Sequence, residues 1–202
     1  MKHFRVLLVL TLIVFSLTLA SSFATDNTSG KILILYYSLT GKTKLACKTL
    51  QEPLGAALME IKDLKDRSGR WGFFTGAITS LFGMQTDIAP EHPDLSSYPC
   101  IILASPIWTG KLSPAIRTLI AKNRFDGKKV IIFTTTNAFE KEEAKEKAKA
   151  LVAAQGGKAL AYYQVTSMNK VNDKKIERTN EEIIADTLKF VPEIQKVLSS
   201  QK

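Results

Sequence analysis

The chain has 202 residues, 45 % of them hydrophobic and 23 % charged, which suits one globular domain with a full core and excludes a disordered or fibrous chain. Two cysteines and two histidines, His3 and His92, leave no material for a disulfide scaffold, a Cys/His zinc site or a histidine-based catalytic triad. The formal net charge of +9 favours an acidic partner, an anionic substrate or an anionic surface.

At the N-terminus, Lys2 and Arg5 precede a nearly unbroken apolar run over 6–19, and small residues follow over 20–24. This order predicts a secretory signal peptide over 1–24, cleaved after Ala20 or Ala24. The apolar run is short for a membrane span, which needs about 20 residues. A cleaved signal implies an exported protein without a membrane attachment, and an uncleaved one a membrane-anchored protein. Residues 25–30 read as a polar linker, leaving 31–202 as the domain. Without Lys2 and Arg5 the 28 basic residues become 26 against 19 acidic, net +7. Lysines alternate with glutamates over 140–149, the pattern of a solvated helix face, so nucleic acid is not expected as a partner.

Residues 32–36, ILILY, form an apolar run of the kind found in a strand covered on both faces. The turn after it carries the hydroxyls of Ser38, Thr40 and Thr43, with Gly41 to let the backbone turn closely. Thr43 is placed to open a helix. A helix N-terminus offers free N–H groups and the positive end of a dipole, so strand, turn and helix together make a phosphate cradle that needs no lysine. An ordinary strand, serine-rich turn and helix would use the same residues. Neither the P-loop ending nor the spaced glycines of the dinucleotide fingerprint are present.

The predicted helix over 43–52 stops at Pro53. A short strand follows at 57–61, then a polar stretch to 69 and a glycine-dotted aromatic segment over 70–83, read as core packing or a cover over the site. A buried strand at 101–104 leads into a loop with Trp108 and Gly110, then a helix over 113–122 with Pro114 in its first turn. A strand at 130–133 ends in a loop rich in threonine. Beyond it come a charged helix over 138–154 stopped at Gly156 and Gly157, a last strand at 159–165, and a helical C-terminus over 173–198 interrupted at Pro192. Cys47 on a helix and Cys100 at the head of a strand read as buried thiols rather than a disulfide. Strands separated by helices predict an α/β, doubly wound parallel sheet that binds its ligand at the carboxyl ends of the strands. A tryptophan at such a strand end can stack on a planar ring and exclude water.

Two loops carry a resemblance to a known family. Ser38-Leu39-Thr40-Gly41-Lys42-Thr43 resembles the phosphate loop of flavodoxins and flavodoxin-like reductases, Ser/Thr-x-Thr-Gly-Asn-Thr, with Lys42 in place of asparagine. Ser105-Pro106-Ile107-Trp108-Thr109-Gly110, followed by a helix starting Ser113-Pro114-Ala115, is similar to the family's second flavin loop. The resemblance covers about residues 31–198. It implies a flavodoxin-like five-stranded parallel sheet of order 2-1-3-4-5 and a non-covalently bound FMN. The hydroxyls of Ser38, Thr40 and Thr43 and the backbone from Leu39 through Gly41 to Thr43 would hold the phosphate, with Lys42 adding a charge contact. Pro106, Ile107, Trp108, Thr109 and Gly110 would cover the ring, Thr135, Thr136 and Asn137 would meet its edge, and Phe139 would either stand in for a stacking aromatic or pack its own helix. No side chain is expected to act as acid or base, since the cofactor carries the chemistry.

The chain departs from the electron-carrier members, which show a Gly-x-Gly-Asp third loop and a stacking tyrosine. Three readings follow: an oxidoreductase passing electrons from NAD(P)H to a small acceptor such as a quinone, a one-electron carrier serving an acidic protein, or a flavodoxin-shaped binding module without cofactor.

Overall fold

The computed structural model describes residues 31–65, 67, 72, 75, 84–137, 142–171 and 174–200. The expected signal peptide and linker lie outside the described residues, as do Phe139 and most of the aromatic segment over 70–83.

Strand β1 (Ile32–Tyr36) is buried along its whole length and leads through the Ser38–Gly41 turn into helix α1 (Lys42–Gln51). Strand β2 (Ala57–Glu60) returns alongside β1, and a short antiparallel pair, β3 (Lys62–Asp63) with β4 (Ile88–Ala89), follows. Next come β5 (Cys100–Trp108), β6 (Lys111–Leu112) and α2 (Pro114–Lys122). Strand β7 (Lys129–Thr136), helix α3 (Glu142–Ala154) and strand β8 (Lys158–Thr166) complete the sheet. A hairpin of β9 (Met168–Val171) and β10 (Lys174–Glu177) leads to α4 (Asn180–Lys189) and α5 (Val191–Ser199).

The five parallel strands lie in the order β2-β1-β5-β7-β8, which by rank is 2-1-3-4-5. The chain therefore has the flavodoxin-like fold. Alternation along β1 divides the core between two faces: Leu33 and Leu35 join Ile101, Leu103, Ile116 and Val152 on one side, while Ile32 and Ile34 join Ala46, Leu50, Ile102 and Ile183 on the other. Each fully buried side chain of this size contributes about 1.5–3 kcal/mol. Both faces are covered, so the strands read as continuous apolar runs rather than alternating ones.

Four sequence expectations need correction. The strand expected at 101–104 extends to Trp108, and a two-residue turn at Thr109 and Gly110 folds β6 back on it, pairing Ile107 with Leu112 and Trp108 with Lys111. Both turn residues have positive φ, 48° and 74°, as a hairpin turn matched to strand twist demands. The strand expected at 130–133 likewise runs on to Thr136, placing Thr134 and Thr135 in the ladder. The C-terminal helix does not begin at 173: Lys174–Glu177 is a strand, and α4 starts only after Thr179. A capping box sets that start. Thr179 Oγ1 accepts from Glu182 N at 3.2 Å, and Glu182 Oε2 accepts from Thr179 N at 2.8 Å. At the first cradle, Gly41 rather than Thr43 flanks the helix start.

Candidate functional site

The carboxyl ends of β1, β5 and β7 converge where the strand order reverses, the place at which open α/β sheets bind ligands. A cavity of about 190 Å³ lies there, among the described residues. Leu39, Thr40, Lys42 and Thr43 form one wall, Pro106 to Thr109 a second, and Thr135, Thr136, Asn137 and Ser167 a third. Its volume is below the roughly 300–1,000 Å³ of an enclosing ligand site. A cofactor-sized molecule would therefore keep an edge outside these walls.

The first wall has backbone geometry that can cradle an anion. Gly41 adopts the left-handed conformation, φ 86°, and a Cβ there would meet nothing within 4 Å, so the turn faces open space. No side chain caps α1, whose first backbone bond runs from Leu45 N to Gly41 O at 2.9 Å. Its leading N–H groups are consequently available to a ligand. Ser38 and Gly41 stand just behind the lining of the cavity, and Ser38 Oγ is buried with no hydrogen-bond partner. A buried hydroxyl left in this way costs about 1–3 kcal/mol, which an anionic ligand would offset.

Lys42 lines the cavity, but its ammonium already pairs with Glu177 Oε1 at 3.1 Å and donates to Asn180 Oδ1 at 3.3 Å. Backbone and hydroxyls therefore dominate the cradle. Thr43, 2 % exposed, lies with its Oγ1 2.8 Å from Thr135 Oγ1, joining the first wall to the third.

The second wall is held by its own hydroxyls. Ser113 N donates to Ser105 Oγ at 2.9 Å, and Ser105 Oγ donates to Ser113 Oγ at 3.0 Å. Both serines are fully buried, so they set the β5–β6 hairpin on α2 rather than touch a ligand. Trp108, half-buried at the tip of β5, stands edge-on to Tyr37 with ring centroids 5.9 Å apart and planes at 77°. Burial, with the Asp63 charge adding to it, pushes the Tyr37 phenol up to about 12. Tyr37 thus acts as a neutral buttress for Trp108 at any physiological pH. Gly110 lies in the turn beyond Trp108, outside the cavity walls.

On the third wall, Thr135 and Thr136 end β7 and Asn137 follows them, exposed. Thr134, by contrast, turns its hydroxyl towards β8, donating to Tyr162 Oη at 3.0 Å. Ser167 is the residue that sequence reading missed. No motif marks it, and it reaches the cavity only because β8 pairs with β7, Thr166 lying opposite Thr136.

Among the described residues no group of three His, Cys, Asp or Glu side chains could hold a metal, and no helix is long and apolar enough to cross a membrane. The cavity walls hold no histidine or carboxylate. The arrangement can bind a phosphorylated planar molecule, but it offers no acid–base pair.

No known family's sequence pattern matches the chain, and neither does any curated protein sequence. Solved structures share its fold. A flavoprotein from Lactobacillus acidophilus NCFM, determined in complex with FMN, superposes with a TM-score of 0.57 at 20 % identity, over 67 % of this chain and 93 % of that one. A candidate flavoprotein from Bacteroides uniformis gives a TM-score of 0.62 at 20 % identity, over 77 % and 96 %. Oxidised flavodoxin 2 from Bacillus cereus gives 0.51 at 18 % identity, over 85 % and 99 %.

Proposed function

We propose that the protein binds FMN non-covalently in this cavity and works as a redox protein, transferring electrons from NAD(P)H to a small acceptor such as a quinone. The observation that carries the reading is the buried, unpartnered Ser38 hydroxyl beside the uncapped N-terminus of α1. A phosphate monoester supplies the acceptor oxygens that both of these groups need. The FMN-bound Lactobacillus acidophilus flavoprotein, which shares the fold, supports the same ligand.

When bound, FMN supplies the electron-transfer chemistry. The residues of this chain bind, orient and shield. Ser38, Thr40 and the first N–H groups of α1 hold the phosphate, with Thr43 fixed by Thr135. Trp108, braced by Tyr37, presents an apolar face that excludes water. Thr136 and Asn137 offer polar groups to a ring edge.

A one-electron carrier for an acidic protein is the second reading, favoured by the basic charge of the domain. The absence of glycine from residues 134–137 argues for the first, because a backbone that must reorganise as the ring changes state is eased by glycine. Photoreduction followed by absorbance separates the two. Bleaching by NADH or NADPH supports the oxidoreductase, while a half-reduced flavin that accumulates and resists NAD(P)H supports the carrier.

The phosphate assignment is tested by titrating the domain with FMN and riboflavin and following flavin fluorescence. FMN should bind roughly 10- to 150-fold more tightly, the equivalent of about 1.5–3 kcal/mol for hydrogen bonds to a charged group. Equal affinities would overturn the phosphate cradle, and no binding of either would leave the cofactor-free module.

We also propose export, on the N-terminal sequence alone, with residues 1–24 acting as the signal. Protein recovered from its native cell should begin near Ser21 or Thr25 by mass spectrometry; an intact N-terminus on cytoplasmic protein would refute it.

A further inference from the structure

We propose that Ser167 is a positioning residue that fixes the Asn137 amide at the cavity, so that its NH2 group faces the ligand as a hydrogen-bond donor. The inference rests on the FMN reading and deepens it by assigning how the polar edge of the ring is met.

Ser167 is itself held on both sides. Its N–H donates to Thr136 O at 2.8 Å, and its carbonyl accepts from Arg178 N at 3.0 Å. The Arg178 guanidinium donates to Thr166 O and Thr166 Oγ1, both at 3.2 Å, and pairs with Asp186 at 2.6 Å. The side chain is therefore delivered to the cavity by a clamp built outside it, and Ser167 is only 7 % exposed.

Its hydroxyl lies within reach of two acceptors, Thr136 O at 3.2 Å and, closer, Asn137 Oδ1. A serine has one proton to give. Asn137 Oδ1 is the nearer of the two, so the proton goes to the amide oxygen. With Oδ1 committed, the planar amide has only its two N–H donors left for the cavity that Asn137 lines. Those donors suit the carbonyl and imine acceptors of a flavin's pyrimidine edge. A donor held in place before reduction favours the more electron-rich ring, so it also sets the potential.

The test uses Ser167→Ala, Ser167→Thr, Asn137→Ala and the Ser167→Ala/Asn137→Ala double variant. In the protein without flavin, 15N relaxation of the Asn137 side-chain amide should report a rigid NH2 group in the parent and in Ser167→Thr, and a mobile one in Ser167→Ala. An amide mobile in the parent, or equally rigid in Ser167→Ala, overturns the proposal whether or not FMN binds. With FMN, each single alanine variant should weaken binding about 3- to 10-fold, the size of one neutral hydrogen bond. Each should also lower the flavin potential, and the double variant should match Asn137→Ala alone. Effects that multiply in the double variant would show that Ser167 does not act through Asn137. Failure of FMN to bind the parent would refute the cofactor reading, leaving the amide measurement to decide this one.

Discussion

Thr43 Oγ1 and Thr135 Oγ1 lie 2.8 Å apart across 92 residues of chain, joining the first turn of the cradle helix to the end of β7. This bond couples the first wall of the cavity to the third in a buried place, where an unpaired hydroxyl is costly. Thr135→Val should lower stability by about 1–3 kcal/mol in urea unfolding, because it strands the Thr43 hydroxyl. Replacing both threonines by valine should recover part of that loss while leaving FMN binding weak. A double variant no more stable than Thr135→Val would show that the two hydroxyls are not partners.

The two thiols should be silent in the folded protein. Cys47 and Cys100 are both free and buried, and burial raises both thiols, Cys100 to about 11 despite the nearby Lys129 charge. Since the thiolate is the reactive form, a soluble disulfide reagent at pH 8 should label neither until denaturant is added, and then both. Fast labelling of either one under native conditions would contradict its burial.

Gly157 is a packing requirement. A Cβ there would stand 2.7 Å from Val152 Cγ1, with Phe125 and Val130 atoms at 3.1 Å, against the end of α3. Gly157→Ala should cost about 1–3 kcal/mol by overpacking. Trimming the neighbour in Gly157→Ala/Val152→Ala should give a smaller loss than the two single losses combined. Additive losses in thermal unfolding would mean that the methyl meets something other than Val152.

Acid should loosen the clamp behind Ser167. The bond from Lys189, and then the pairing with Arg178, holds the Asp186 carboxyl below its usual value. A carboxylate depressed in the folded state contributes stability that is fully present above its unfolded pKa, about 3.9, and is lost as pH falls through the folded value. Asp186→Asn should therefore be less stable than the parent at pH 7, by about 1 kcal/mol or less, with the gap closing below pH 4. A gap unchanged at pH 2.5 would show that the ionised carboxylate is not what matters.

Local chemistry and the loop motifs were enough to read most of the sheet and to name every residue of the cavity walls except Ser167. The apolar run of β1, the hydroxyls around Gly41 and the proline in the first turn of α2 each act within a few residues, so their meaning survives in the linear chain. Even the start of α4 was written there, as the Thr179-to-Glu182 capping box, although the helical reading from 173 passed over it. Pairing decided the rest. Whether a strand ends at Ala104 or Trp108 depends on β6 folding back to meet it, and whether 174–177 is helix or strand depends on its register with β9. The pairing of Lys42 with the exposed Glu177 is of the same kind, because that same hairpin brings the carboxylate to it. Ser167 could be found only in three dimensions, because its place in the cavity comes from β8 lying beside β7 and from Arg178 behind it, contacts that no spacing along the chain encodes.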